Sequence, residues 1–134
     1  MTVNWNQGKY LFASSGLFAI PAVYSYFRGF IIYPYLNSSI ALSSMIFWSN
    51  PNSYIGRNIN GIVTHIGCIY YIVDGCRNLT QEGTVVSILC LGNIFYHYIY
   101  SHVLFNCENK NWWKFHIMFH LHIIFQQMLI LYHL

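Results

Sequence analysis

Apart from the near-terminal His133, every histidine of this chain lies in a stretch that is otherwise apolar, and imidazole is the one recurring group there that can do chemistry. His65 stands alone, His97 and His102 share one stretch, and His116, His120 and His122 share the last. His116 and His120 come nearest to a site. Four residues apart, they differ by only about 40° around a helix of about 3.6 residues per turn, so both rings can address one ligand. Imidazole nitrogens in that arrangement can converge on zinc. A complete site needs a third ligand, which the pattern does not identify. The same residues also serve aromatic-rich membrane helices as hydrogen-bonding spacers between neighbours. Haem, in a membrane electron carrier, is the other chemistry these residues offer. A b-type haem held in a bundle takes one His from each of two facing helices, and His97 with His120 would supply them. No Gly-rich approach surface beside either His speaks for haem in particular.

The remaining polar groups offer less. Asp74 is the one acid near an apolar stretch, and Arg77 three residues on can pair with it on one helix face. That spacing predicts an interfacial ion pair, not a buried proton carrier. A transporter would more often bury an acid or break a helix at mid-depth. Pro21 is the only such break and carries no charge beside it. Cys68 and Cys90 fall inside apolar stretches, Cys76 and Cys107 at opposite expected ends, and no Cys-x-x-Cys occurs. Buried thiols of this kind act as small apolar fillers. Ser38, Ser39, Ser43 and Ser44 are small enough to let helices approach closely, or to receive another subunit.

The elements that must position these residues are legible from the charges. Between Tyr10 and Asn109 the only charged side chains are Arg28, Arg57, Asp74, Arg77, Glu82 and Glu108. The whole chain is 56% hydrophobic and 7% charged, whereas a soluble domain carries about a quarter charged residues to wet its surface. The net charge of +3 is too small and too scattered for a nucleic-acid surface. A helix crossing roughly 30 Å of hydrocarbon needs about 20 residues. Five stretches approach that length: 10–30, 34–48, 59–76, 84–105 and 112–132. They lack the sustained period-two alternation of barrel strands, and a helix pairs its own backbone amides, as lipid demands. The expectation is an all-α, multi-pass transmembrane bundle of about five spans, forming a single domain over residues 1–134.

Its contacts are then the bilayer and, through the membrane helices, further copies or other subunits. The start, MTVNWNQGKY, is polar and reads as no cleavable signal, so the first span would be its own insertion signal. Trp48, Trp112 and Trp113 stand at expected span ends, where amphipathic rings favour the headgroup layer. Five spans put Lys9, Arg57, Lys110 and Lys114 on one face and Arg28 and Arg77 on the other. The positive-inside rule then places the N-terminus in the cytoplasm. Two glycosylation patterns, Asn37-Ser38-Ser39 and Asn78-Leu79-Thr80, fall on the opposite side, close to the membrane.

The run Trp113-Lys114-Phe115-His116-Ile117-Met118-Phe119-His120 resembles the closing His-x-x-x-His helix of the membrane hydrolases grouped with alkaline ceramidases and adiponectin receptors. In that superfamily an earlier helix carries a Ser followed four residues later by a His, with an Asp about a dozen residues further on. Here Ser44 takes the Ser position, Trp48 stands where the His belongs, and Asn60 stands near the Asp position. The resemblance covers about half the chain in separate pieces and falls short of the usual seven helices. It implies a zinc-dependent hydrolase of lipid amides, with His116 and His120 on the metal and Ser44 at the transition state. Those enzymes hold zinc with three His, so Trp48 implies lost activity unless His65, His97 or His102 supplies the third ligand. The leading expectation is therefore non-catalytic: a small membrane protein acting through helix packing with itself or with partners, without a cofactor.

Overall fold

The computed structural model describes Val3 and residues 5–134. Among them every regular element is a helix: α1 (Trp5–Gly16), α2 (Ala19–Phe27), α3 (Ile32–Ser49), α4 (Tyr54–Asn78), α5 (Gln81–Asn106) and α6 (Trp112–His133). Three stretches are long and apolar enough to cross a membrane: Trp5–Phe27, which joins α1 and α2, together with α5 and α6. α3 and α4 fall short of that measure. α3 carries Asn37 and five serines, and α4 carries Arg57, three asparagines, Asp74 and Arg77.

Local chemistry sets the boundaries, which differ from the expected ones by several residues. The first helix starts at Trp5 and breaks at residues 17–18, ahead of Pro21. Proline lacks the N–H that would bond the carbonyl four residues back, and that Leu17 carbonyl instead accepts from the Ile20 amide at 2.9 Å. Just upstream, the Ser14 and Ser15 hydroxyls both donate to the Leu11 carbonyl, at 3.0 and 2.8 Å. Such back-bonding competes with the helix ladder and bends it. α2 ends at Phe27, short of residue 30, because Gly29 takes a left-handed conformation (φ 77°). The Phe30 amide then donates to the Ser25 carbonyl at 3.0 Å, closing a helix-terminating turn. α4 begins at Tyr54, since the Ser53 hydroxyl accepts from the Gly56 amide at 3.1 Å. Thr80 caps α5 in the same way through Gly83, and Glu82 in the first turn suits the helix dipole.

α6 is the centre, and it runs antiparallel to α3. Three layers record the register: Trp48 with Trp112, Ile40 and Ala41 with Ile123 and Ile124, and Tyr33 with Ile130 and Leu131. α1 and α2 pack on one side of this pair, α4 lies against α3, and α5 lies along α6. The layers hold the helices lengthwise, so the ends of α1, α3 and α6 that carry Leu11, Trp48 and Trp112 meet at one end of the bundle. At Gly67 of α4, a Cβ would stand 2.5 Å from the buried Ile40 terminal methyl, so glycine sets the closeness of α3 and α4.

The exterior is apolar. Ile62, Ile66 and Ile69 of α4 and Ile88, Leu89 and Phe95 of α5 are exposed. The interior, in contrast, gathers Ser14, Ser15, Asn37, Ser43, Ser44, His120 and Gln127. This inversion of the soluble pattern explains the shortfall of α3, whose Asn37, Ser43 and Ser44 all turn inward.

Candidate functional site

The bend of α1 brings Ser14 to α6, where its hydroxyl lies 2.9 Å from His120 Nδ1. Because the Ser14 hydrogen goes to the Leu11 carbonyl at 3.0 Å, the imidazole donates and the hydroxyl oxygen accepts. His120 is only 4% exposed, so this bond is made away from solvent. His116 repeats the arrangement against α5. The Ser101 hydroxyl donates to the Tyr98 carbonyl at 2.8 Å and lies 3.4 Å from His116 Nδ1. The two rings stand 5.0 Å apart.

The structure does bring together the separated pieces singled out in the sequence. The Trp48 ring meets His116 edge-on at 5.2 Å. One turn earlier on α3, Ser44 donates to Asn60 Oδ1 of α4 at 2.8 Å, and Ser43 does so at 3.2 Å. Thr64 adds a longer bond to the same oxygen at 3.4 Å. The third-ligand candidates lie elsewhere. His65 Nδ1 donates to the Gly61 carbonyl at 2.6 Å, and His102 stacks on Tyr98. His97 stacks on His122 at 4.8 Å. Among the described residues, no group of three or more His, Cys, Asp or Glu could hold a metal ion.

His97 and His120 are not brought together as axial haem ligands. His120 turns to α1 and His122, two residues on, turns to His97 of α5. Residues two apart differ by about 200° around a helix, which puts the two rings on opposite sides of α6.

Asp74 also differs from expectation. Its carboxylate accepts from the Tyr33 hydroxyl across the α3–α4 contact instead of taking Arg77. Beside it, Asn37 Nδ2 donates to the Tyr71 hydroxyl at 2.7 Å. Asn37 is fully buried, which removes it as a glycosylation acceptor. Gln126 of α6 donates to Ser87 of α5. The sequence assigns no partner to Ser14, Ser101 or Gln126, since a serine or glutamine acquires meaning only from the residue it faces. All four cysteines are free thiols. No protein-family model, curated protein or solved structure matches this chain.

Proposed function

We propose that this is a small integral membrane protein of five spans that works by associating through its helices and not by catalysis. One observation carries the reading: five pairs of inward polar groups tie helix to helix, although Gln127 Oε1 has no partner and Ser15 bonds within α1. Ser14 with His120, Ser101 with His116, Asn37 with Tyr71, Ser44 with Asn60 and Gln126 with Ser87 each join two different helices. Lipid supplies no hydrophobic drive between helices, so such bonds and close packing hold a bundle together. In this reading α3 and α4 also cross, presenting their polar faces to the interior. The N-terminal end lies in the cytoplasm. The partner surface is the face of α5 that carries the exposed, stacked Tyr96 and Tyr100. A tyrosine hydroxyl facing hydrocarbon gains by meeting a polar partner on another helix.

Metal analysis of detergent-purified protein tests the reading. It predicts no stoichiometric zinc, and His116→Ala with His120→Ala should leave metal content unchanged while lowering stability. Near-stoichiometric zinc lost with those substitutions would overturn it.

A second reading has a specific observation in its favour. Trp48 against His116, with Ser44 bonded to Asn60 one turn away, makes a cluster of the residues that carry the resemblance to the zinc membrane hydrolases. Two imidazoles fall short of the three protein ligands that a catalytic zinc takes. The residues present do not fit an active centre, and no hydrolytic step is assigned to them. Under this reading the chain is a relative of those enzymes that keeps the cluster without the reaction.

A further inference from the structure

At the end of the bundle where α1 and α6 begin, four side chains form a continuous surface. The Tyr10 and Trp113 rings stack at 4.7 Å and 13°, Lys9 lies over Tyr10 at 5.2 Å, and Lys114 lies over Trp113 at 5.8 Å. Two ammonium groups therefore flank a double aromatic plate. The plate is held in place from behind, where Gln7 donates to the Lys110 carbonyl at 3.3 Å and accepts from the Trp112 indole at 3.4 Å.

Charge is distributed unevenly between the two ends. Lys9, Arg57, Lys110 and Lys114 stand at this end against Glu108 alone, whereas Arg28 and Arg77 at the other are balanced by Asp74 and Glu82. The chain's entire net charge of +3 thus sits at the end that also holds all four tryptophans. Away from the plate, Leu17, Ile20 and Val23 on the α1–α2 side are exposed and apolar. Further along, Ile20, Val23 and Phe27 line a groove with Met128 of α6.

We propose that this surface binds an anionic phospholipid, its headgroup attracted by the charge of Lys9 and Lys114 at the rim of the Tyr10–Trp113 plate and an acyl chain along the α1–α2/α6 seam. The proposal rests on the membrane reading above. Ammonium groups supply the charge a phosphodiester needs. Aromatic rings favour the headgroup depth at which they would stand. The anionic cytoplasmic leaflet is where a basic end would find such lipid. Both lysines are exposed, so neutralising them leaves the interior intact.

The protein is reconstituted into nanodiscs of phosphatidylcholine mixed with phosphatidylglycerol, and the lipids retained on release are counted by native mass spectrometry. Wild type should retain phosphatidylglycerol preferentially, and Lys9→Gln with Lys114→Gln should reduce that preference roughly tenfold or more. Arg28→Gln with Arg77→Gln, at the opposite end, should leave it unchanged. Protein that incorporates but shows no preference, or loses it equally in both double variants, overturns the proposal. Displacement of the lipid by inorganic phosphate would also overturn it, since the site would then need only the free anion. Failure to incorporate at all would instead count against the membrane reading.

Discussion

At the scale of single residues, the interior polar groups decide the account. The Ser14 hydroxyl accepts the His120 Nδ1 proton at 2.9 Å while donating to the Leu11 carbonyl, so one side chain both bends α1 and joins it to α6. Ser14→Ala should strand that imidazole proton and destabilise the bundle by about 0.6 to 2 kcal/mol, the range for such bonds in membranes. Unfolding in mixed micelles, comparing the variant with wild type, would measure the loss. The spacing of His116 and His120 was legible in the sequence, because i and i+4 fix a shared face. Their serine partners were not, because Ser14 and His120 are 106 residues apart and only the fold makes them neighbours. Asp74 teaches the same lesson in reverse. Its local partner, Arg77, was the natural expectation, and the tertiary contact to Tyr33 prevailed.

At the scale of the elements, apolar run length located the helices, and capping chemistry set their limits. Ser53 and Thr80 each precede a helix start at a capping position, with the amide three residues on as donor. These signals lay outside the apolar runs and moved the starts of α4 and α5 upstream of the expected spans. The break at residues 17–18 came from Pro21 acting through the carbonyl four residues before it, together with Ser14 and Ser15. Helix approach depends on details that no periodicity reveals. Gly67→Leu must push into the buried Ile40 and should cost about 1 to 3 kcal/mol by overpacking, whereas Gly61→Ala, with open space at its Cβ, should be nearly neutral. Thermal denaturation of the two variants would distinguish a specific α3–α4 contact from a general intolerance of side chains on α4.

For the whole molecule, the sequence's low charge and the structure's inverted surface agree. Apolar side chains face outward on α4 and α5, and serines, asparagine and histidine face inward. Composition could announce the apolar exterior, but not that α3 hides its polar residues against α4 and α6. That packing is why α3 and α4, too polar by themselves to pass as spans, belong lengthwise in the bundle. The asymmetry of its ends is equally global. Four basic residues and four tryptophans gather at one end, although they come from three separate stretches of the chain, 5–9, 48–57 and 110–114.

The most direct test concerns the turn between α3 and α4. Five spans put that turn on the side of Cys107, at the α5–α6 turn, whereas three spans formed by α1–α2, α5 and α6 would put it on the side of Asn78. Single-cysteine proteins in sealed membranes, carrying Cys107 alone, Asn52→Cys or Asn78→Cys, can be labelled with a membrane-impermeant maleimide. With five spans, Asn52→Cys and Cys107 react from the same side and Asn78→Cys from the other. Reaction of Asn52→Cys from the side of Asn78→Cys would contradict five spans.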